Sequence, residues 1–301
     1  MPISEVMENP RARQPFAAKL GDYYTLTKPE VNLLILMTTS AGYYLGNAGP
    51  FRLMGLLNTL VGTLLVASGT ATLNQYLERA HDAQMRRTAN RPLVSGRLAP
   101  AEAFYFGLLL SLAGGVYLAW TVNRLTSGLA VSTLLSYLLV YTPLKRRTPL
   151  CTLLGAIPGA MPTLIGWAGA SGGLSRQAWF LFAVLFLWQF PHFLAIALMY
   201  REDYAHAGFK MLPDFDADGR FTRAEIIGFT LVLVITTLVP LATRGFSALY
   251  LLPVAGAGLF FLYYGARLAE SASRVAASRL VHASVIYLPV VLGIMMVCKP
   301  A

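Results

Sequence analysis

The chain of 301 residues is 56% hydrophobic and only 13% charged, about half the charged share of an ordinary soluble domain, which excludes a soluble globular fold. Its formal net charge of +10 is not gathered into the basic patches of a nucleic-acid-binding domain, so no nucleic-acid partner is expected and membrane orientation is the better account. Cys151 and Cys298 lie far apart in apolar runs; they offer neither a disulfide framework nor a zinc pair and read as packing residues.

Residues 1–30 mix Arg11, Arg13 and Lys19 with Glu5, Glu8 and Asp22, and lack an apolar core followed by small residues. That pattern fits neither a signal nor a transit peptide, and the reading is a mobile cytoplasmic arm. Residues 31–298 read as a single membrane-embedded domain. A helix rises about 1.5 Å per residue, so roughly 20 apolar residues cross the hydrocarbon. Nine stretches approach that length, at 31–49, 53–77, 103–122, 125–144, 149–170, 178–200, 226–243, 246–265 and 280–298. Pro158, Pro162, Pro191, Pro240 and Pro289 fall inside them, which membrane helices tolerate. The predicted fold class is therefore an all-α polytopic membrane protein.

Of the 24 Lys and Arg residues, 19 fall before the first span or in the loops after the second, fourth, sixth and eighth. By the positive-inside rule that side, with the amino terminus, is cytoplasmic and the carboxy terminus lies opposite. All 14 acidic residues fall on the same side. Acids contribute little to orientation, so their bias calls for a functional account.

The second span ends in Asn74, Glu78 and Asp82, followed at the same spacing by Arg86 and Asn90 before Pro92. If the helix continues, these form one polar stripe. An amide and two carboxylates on successive turns are hard oxygen donors suited to Mg²⁺ with substrate phosphates. Without a cation, two carboxylates about 4 Å apart would repel by roughly 4 kcal/mol at an effective dielectric of 20. The plainer alternative, a solvated helix end with both acids paired to Arg86 and its neighbours, stands level with it.

The fourth span runs into Tyr141, Lys145, Arg146 and Arg147, a basic turn suited to phosphate or carboxylate, or serving topology alone. The sixth carries Trp188, Gln189, Pro191 and His192, then Tyr200, Glu202, Asp203 and Tyr204. Glu202 and Asp203 share the side of Glu78 and Asp82, as a two-metal diphosphate site would require. His192 reads as part of a polar network within the span or, more simply, a hydrogen-bonded structural histidine. Asp214, Asp216, Asp218, Gly219 and Glu225 match calcium-loop spacing. Pro213, however, stands where an incoming helix should run, and Asp218 or Thr222 serves equally as a cap for the seventh span.

Three strings, NQYLERAHDAQMRRTANRPL, YTPLKRRTPL with GAIPGAMPTLIGW, and WQFPHFLAIALMYREDYAHAGFKMLP, together with Thr27-Lys28-Pro29, resemble the protohaem IX farnesyltransferases of the UbiA-type prenyltransferase superfamily. The resemblance implies nine helices around a central cavity in a bacterial inner membrane. It implies Mg²⁺-assisted ionisation of farnesyl diphosphate, attack by a vinyl group of protohaem IX (haem B, a substrate rather than a cofactor) and capture of the resulting cation by water. It names haem A synthase or terminal-oxidase assembly as candidate partners. The family's Asn-xxx-Asp-xxx-Asp motif falls on Asn74, Glu78 and Asp82, with Glu replacing the middle Asp. At its second motif, Asp-xxx-Asp, this chain has Tyr200 and Tyr204, leaving Glu202 and Asp203 as the acids of that turn. Under that resemblance Lys28, Arg86, Arg91, Lys145 and Arg146 are the candidate ligands of diphosphate or haem propionates, and Trp188 and His192 the candidate haem wall, with His192 a candidate ligand of the haem iron.

Three rival readings stay open: a prenyltransferase for an aromatic acceptor, a transporter, and a calcium-responsive membrane protein built on the Asp214 loop. A transporter would favour internal repeats and charges near mid-bilayer; no clear repeat is present.

Overall fold

A computed structural model describes residues 15–216, 218–239 and 247–299. The described residues are helical throughout, with no strand: α1 (Phe16–Leu26), α2 (Pro29–Gly46), α3 (Leu53–Asp82), α4 (Pro100–Thr121), α5 (Arg124–Leu144), α6 (Cys151–Ser171), α7 (Arg176–Met199), the short α8 (Arg201–His206) and α9 (Leu212–Phe215), α10 (Arg220–Leu238), α11 (Ala248–Ser271) and α12 (Arg274–Val297). Eight of these, α3 to α7 and α10 to α12, are long and apolar enough to cross a membrane. The remaining expected span, the first in the chain, is α2, 18 residues long and diluted by Glu30, Asn32 and a Thr-Thr-Ser run. Enclosure by α6, with α3 and α12 alongside, lets it keep polar residues that lipid contact would penalise.

Apolar side chains such as Trp120, Leu109, Leu249 and Leu252 point outward from the bundle, as lipid-facing residues should. Small residues pack the interior. A Cβ added at Gly42 of α2 would stand 2.3 Å from the Thr163 carbonyl oxygen of α6, and one at Gly166 of α6 2.0 Å from that of Thr39. Glycine at both crossings thus lets the two backbones touch, the usual means of tight association where lipid is as apolar as the side chains.

Several boundaries depart from the sequence reading. Residues 16–26, expected within a mobile arm, form α1. Leu26 packs with Leu93, Leu98 and Ala103, Gln75 donates to the Leu26 carbonyl, and Lys19 and Arg97 form ion pairs with Glu102 and Asp22. The earlier part of that arm, with Arg11 and Arg13, lies outside the described residues, as do Pro240 and the end of the seventh expected span. That span starts at Arg220 rather than residue 226, because the Asp216 carboxylate accepts the Thr222 N–H (2.7 Å) and so caps α10. Asp216, not Asp218 or Thr222, supplies the cap. Asp214 pairs with Arg201 at 3.4 Å, so two of the calcium-loop acids already have structural partners.

Candidate active site

The antiparallel order of the spans brings the start of α2 and the ends of α3, α5 and α7 to one end of the bundle. Asn74, Glu78 and Asp82, on the last three turns of α3, face inward there at 1%, 5% and 2% exposure. Asn74 Oδ1 accepts from Lys28 Nζ at 3.2 Å, and its Nδ2 donates to Thr142 Oγ1 at 3.2 Å. Glu78 is ion-paired with Lys145, and Asp82 with Arg91 at 2.5 Å. Buried carboxylates persist only when paired, and each has its own cation.

The stripe does not continue to Arg86 and Asn90. The helix stops at Asp82, where the Thr88 hydroxyl (2.6 Å) and the Met85 N–H (3.3 Å) turn back onto the Asp82 carbonyl. A 3₁₀ turn over Arg86–Thr88 follows. The fold-back returns Arg91 to Asp82 and leaves Arg86 exposed, so the acids pair with Lys145 and Arg91 rather than with Arg86.

These groups line a cavity of about 160 Å³ with Lys28, Met85, Arg87, Tyr137, Tyr141, Tyr204, Phe209 and Met211. Lys28 adopts the left-handed conformation (φ 51°) immediately before Pro29, a strained turn of the kind found at functional sites. Burial, then the charges of Arg91 and Lys145, pulls its ammonium down to about 7. A π-helical turn over Ser136–Tyr141 widens α5, and Tyr137 and Tyr141 both reach the cavity from it, their rings 5.0 Å apart. Lys145 Nζ lies 5.2 Å from the Tyr141 ring centroid and 5.0 Å from that of Phe209, while its carbonyl accepts from Lys210 N–H at 2.9 Å, tying the loop after α8 to this turn. A smaller, less polar recess of about 40 Å³ between α6 and α7 shares Tyr141, Tyr204 and Met211 with the cavity and adds Gly155, Phe193 and Ile196.

Of the candidate site residues named from sequence, Lys28, Asn74, Glu78, Asp82, Arg91 and Lys145 meet in the cavity, with Tyr141 and Tyr204 beside them. Arg86, Arg146, Glu202, Asp203, Trp188 and His192 do not line it. Arg146 is exposed and contacts His81 Nε2 at 2.7 Å. Glu202 is exposed and Asp203 partly so, and neither lines the cavity; the acids of α8 therefore do not complete a two-metal set, and no group of three or more His, Cys, Asp or Glu occurs among the described residues. Trp188 is buried between α7 and α12, its indole N–H donating to the Ser284 carbonyl at 2.8 Å. His192 stacks on it at 4.6 Å, with Nδ1 2.7 Å from Ser284 Oγ. Both belong to a helix contact and line neither cavity. Sequence reasoning passed over Arg87, Tyr137, Tyr204, Phe209 and Met211. Only Tyr204 carried a signal, its place at the second Asp of the motif.

Three buried oxygen donors on successive turns suit a hard divalent cation, and the ammonium and guanidinium groups around them suit phosphate. Residues 35–287 match the UbiA prenyltransferase family. A protoheme IX farnesyltransferase of Solibacter usitatus is 50% identical over 93% of this chain and 99% of its own; another from Koribacter versatilis is 43% identical over 94% and 95%. Among solved structures, a digeranylgeranylglyceryl phosphate synthase superposes with a TM-score of 0.76 at 20% identity over 93% of this chain and 98% of that one. A UbiA homologue from Archaeoglobus fulgidus bound to DMAPP and Mg²⁺ gives 0.66 at 16% identity over 91% and 99%. Fold, motif and near-full-length similarity agree: the chain belongs to the UbiA prenyltransferase family and, within it, to the protohaem IX farnesyltransferases.

Proposed function

We propose that this protein transfers a farnesyl group from farnesyl diphosphate to a vinyl group of protohaem IX, giving the hydroxyethylfarnesyl haem known as haem O. The observation that carries the reading is the buried Asn74, Glu78, Asp82 stripe facing Lys28, Lys145 and Arg91 at one end of an apolar bundle, in a chain 50% identical to a protoheme IX farnesyltransferase.

Asn74, Glu78 and Asp82 would hold a divalent cation, consistent with the Mg²⁺ bound by the Archaeoglobus fulgidus homologue; such an ion neutralises the diphosphate as its C–O bond breaks. Lys145 and Arg91, which compensate the two acids, would turn to the phosphate oxygens with a cation held by the stripe. Tyr137 and Tyr141 present aromatic faces where the allylic carbon loses its leaving group, and with Met211 they exclude bulk water from the cation. The recess between α6 and α7 takes the first part of the prenyl chain; Phe193, 38% exposed, joins it to the lipid side. The vinyl carbon then bonds the farnesyl carbon, and water captures the resulting cation with loss of a proton.

The charge asymmetry supports a cytoplasmic side of a bacterial inner membrane for the cavity and amino terminus and the opposite side for the carboxy terminus, and haem A synthase or terminal-oxidase assembly are the recipients this reading proposes for the product. The calcium-responsive alternative is disfavoured by the capping role of Asp216, and the transporter by the gathering of buried charge at one end. Mass spectrometry of haems from a host lacking this activity, with and without the chain, tests the function: farnesylated haem should appear only with it. A chain that binds no protohaem yet prenylates hydroxybenzoate would replace the acceptor with an aromatic acid.

A further inference from the structure

The cavity holds four cations, Lys28, Arg87, Arg91 and Lys145, against two carboxylates, Glu78 and Asp82. The wall opposite α3, formed by α8 and the loop after it, presents Tyr204, Phe209 and Met211 and no acid. Residues two apart on a helix point roughly 200° apart, so with Tyr204 turned inward, Glu202 is turned to solvent. What that wall holds instead is Arg87. Its Cζ lies 4.9 Å from the ring centroid of Tyr204 and 5.3 Å from that of Tyr200, and its Nη2 donates to the Tyr204 hydroxyl at 3.1 Å. One of five guanidinium N–H groups is thereby used to fix the side chain, and the rest are left for an anion at the cavity mouth.

Resting on the diphosphate reading above, we infer that this site binds its substrate with one divalent cation, and that Arg87, braced by Tyr200 and Tyr204, does the work of a second. The charges favour this. A diphosphate ester carries about three negative charges, given a secondary phosphate pKa near 6. Leaving Lys28 aside, the cavity's other three cations against its two carboxylates supply a net one positive charge, and one divalent ion raises it to three. A second ion would add two more with no carboxylate to hold it.

The test uses the full chain in lipid nanodiscs with Mn²⁺ as the metal and farnesyl S-thiolodiphosphate as an unreactive substrate analogue. Electron paramagnetic resonance should count one Mn²⁺ per chain at saturating analogue, without the broadening of a coupled pair. Arg87→Gln should weaken analogue binding at least tenfold and leave the count at one, and Arg87→Lys should recover part of the loss. Adding Tyr204→Asp to Arg87→Gln should bring in a second, coupled Mn²⁺. Two Mn²⁺ ions on the parent, or analogue affinity within twofold in Arg87→Gln, overturns the inference while leaving the diphosphate reading intact. A parent that binds no analogue at any Mn²⁺ concentration overturns both. Weakened protohaem binding by Arg87→Gln in an absorbance titration, with analogue affinity unchanged, also overturns it and assigns the guanidinium to a propionate.

Discussion

Asp82→Asn separates the two roles proposed for this carboxylate, ion-pair partner and metal ligand. It pairs with Arg91 at 2.5 Å, the acid 2% and the arginine 22% exposed in their side chains. Two unit charges at that distance attract by roughly 7 kcal/mol at an effective dielectric of 20, but the cost of drying both ions offsets most of it. The amide oxygen still accepts one guanidinium hydrogen bond, and Arg91 retains access to water, so the net loss of folding stability should be about 2 kcal/mol. Catalysis should suffer more. Removing one of the two charged donors of the proposed metal-binding stripe should cost the transition state on the order of 3 kcal/mol, a fall of at least 100-fold in kcat. Turnover of farnesyl diphosphate and protohaem at saturating Mg²⁺, beside thermal unfolding in the same detergent, reads both quantities. Activity within twofold of the parent would refute the metal-ligand role, whatever happened to stability. A loss of activity matched by loss of folded protein would reduce Asp82 to a partner for Arg91.

Gly42→Ala should cost about 1–3 kcal/mol of stability, because its Cβ would stand 2.3 Å from the Thr163 carbonyl oxygen and force α2 from α6; an unchanged unfolding midpoint would show that the crossing is looser than described. Asp216→Ala with Asp218→Ala should lose about 1 kcal/mol with the cap of α10 and keep near-parental turnover, so activity lost and then restored by Ca²⁺ would revive the calcium reading. His192→Ala should leave the Soret band of bound haem in place while lowering stability, since its ring is engaged by Trp188 and Ser284; a shifted band would restore it as an axial ligand.

The spans and the Asn74, Glu78, Asp82 stripe were legible from the sequence because each depends on properties local to one helix: hydropathy over about 20 residues and a spacing of four. Lys28 and Lys145 were legible as basic residues beside a span, without a partner assigned to either. The choice among the arginines after α3 was not legible. Arg86 continues the spacing of the stripe, and only the return of Met85 and Thr88 onto the Asp82 carbonyl sends Arg91 to Asp82 and Arg87 to Tyr204. The inward face of α8 was equally hidden, since Glu202 and Asp203 read as ligands until the packing of Tyr204 beside Phe209, with ring centroids 5.9 Å apart, turned them away. Trp188 and His192 looked like a cavity wall because polar groups within a span invite that reading, yet Ser284, almost a hundred residues later, engages them both. Helical periodicity is written within a few turns of chain, whereas the direction of a turn and the partner of a buried polar group depend on contacts between segments distant in sequence, which exist only once the helices are assembled.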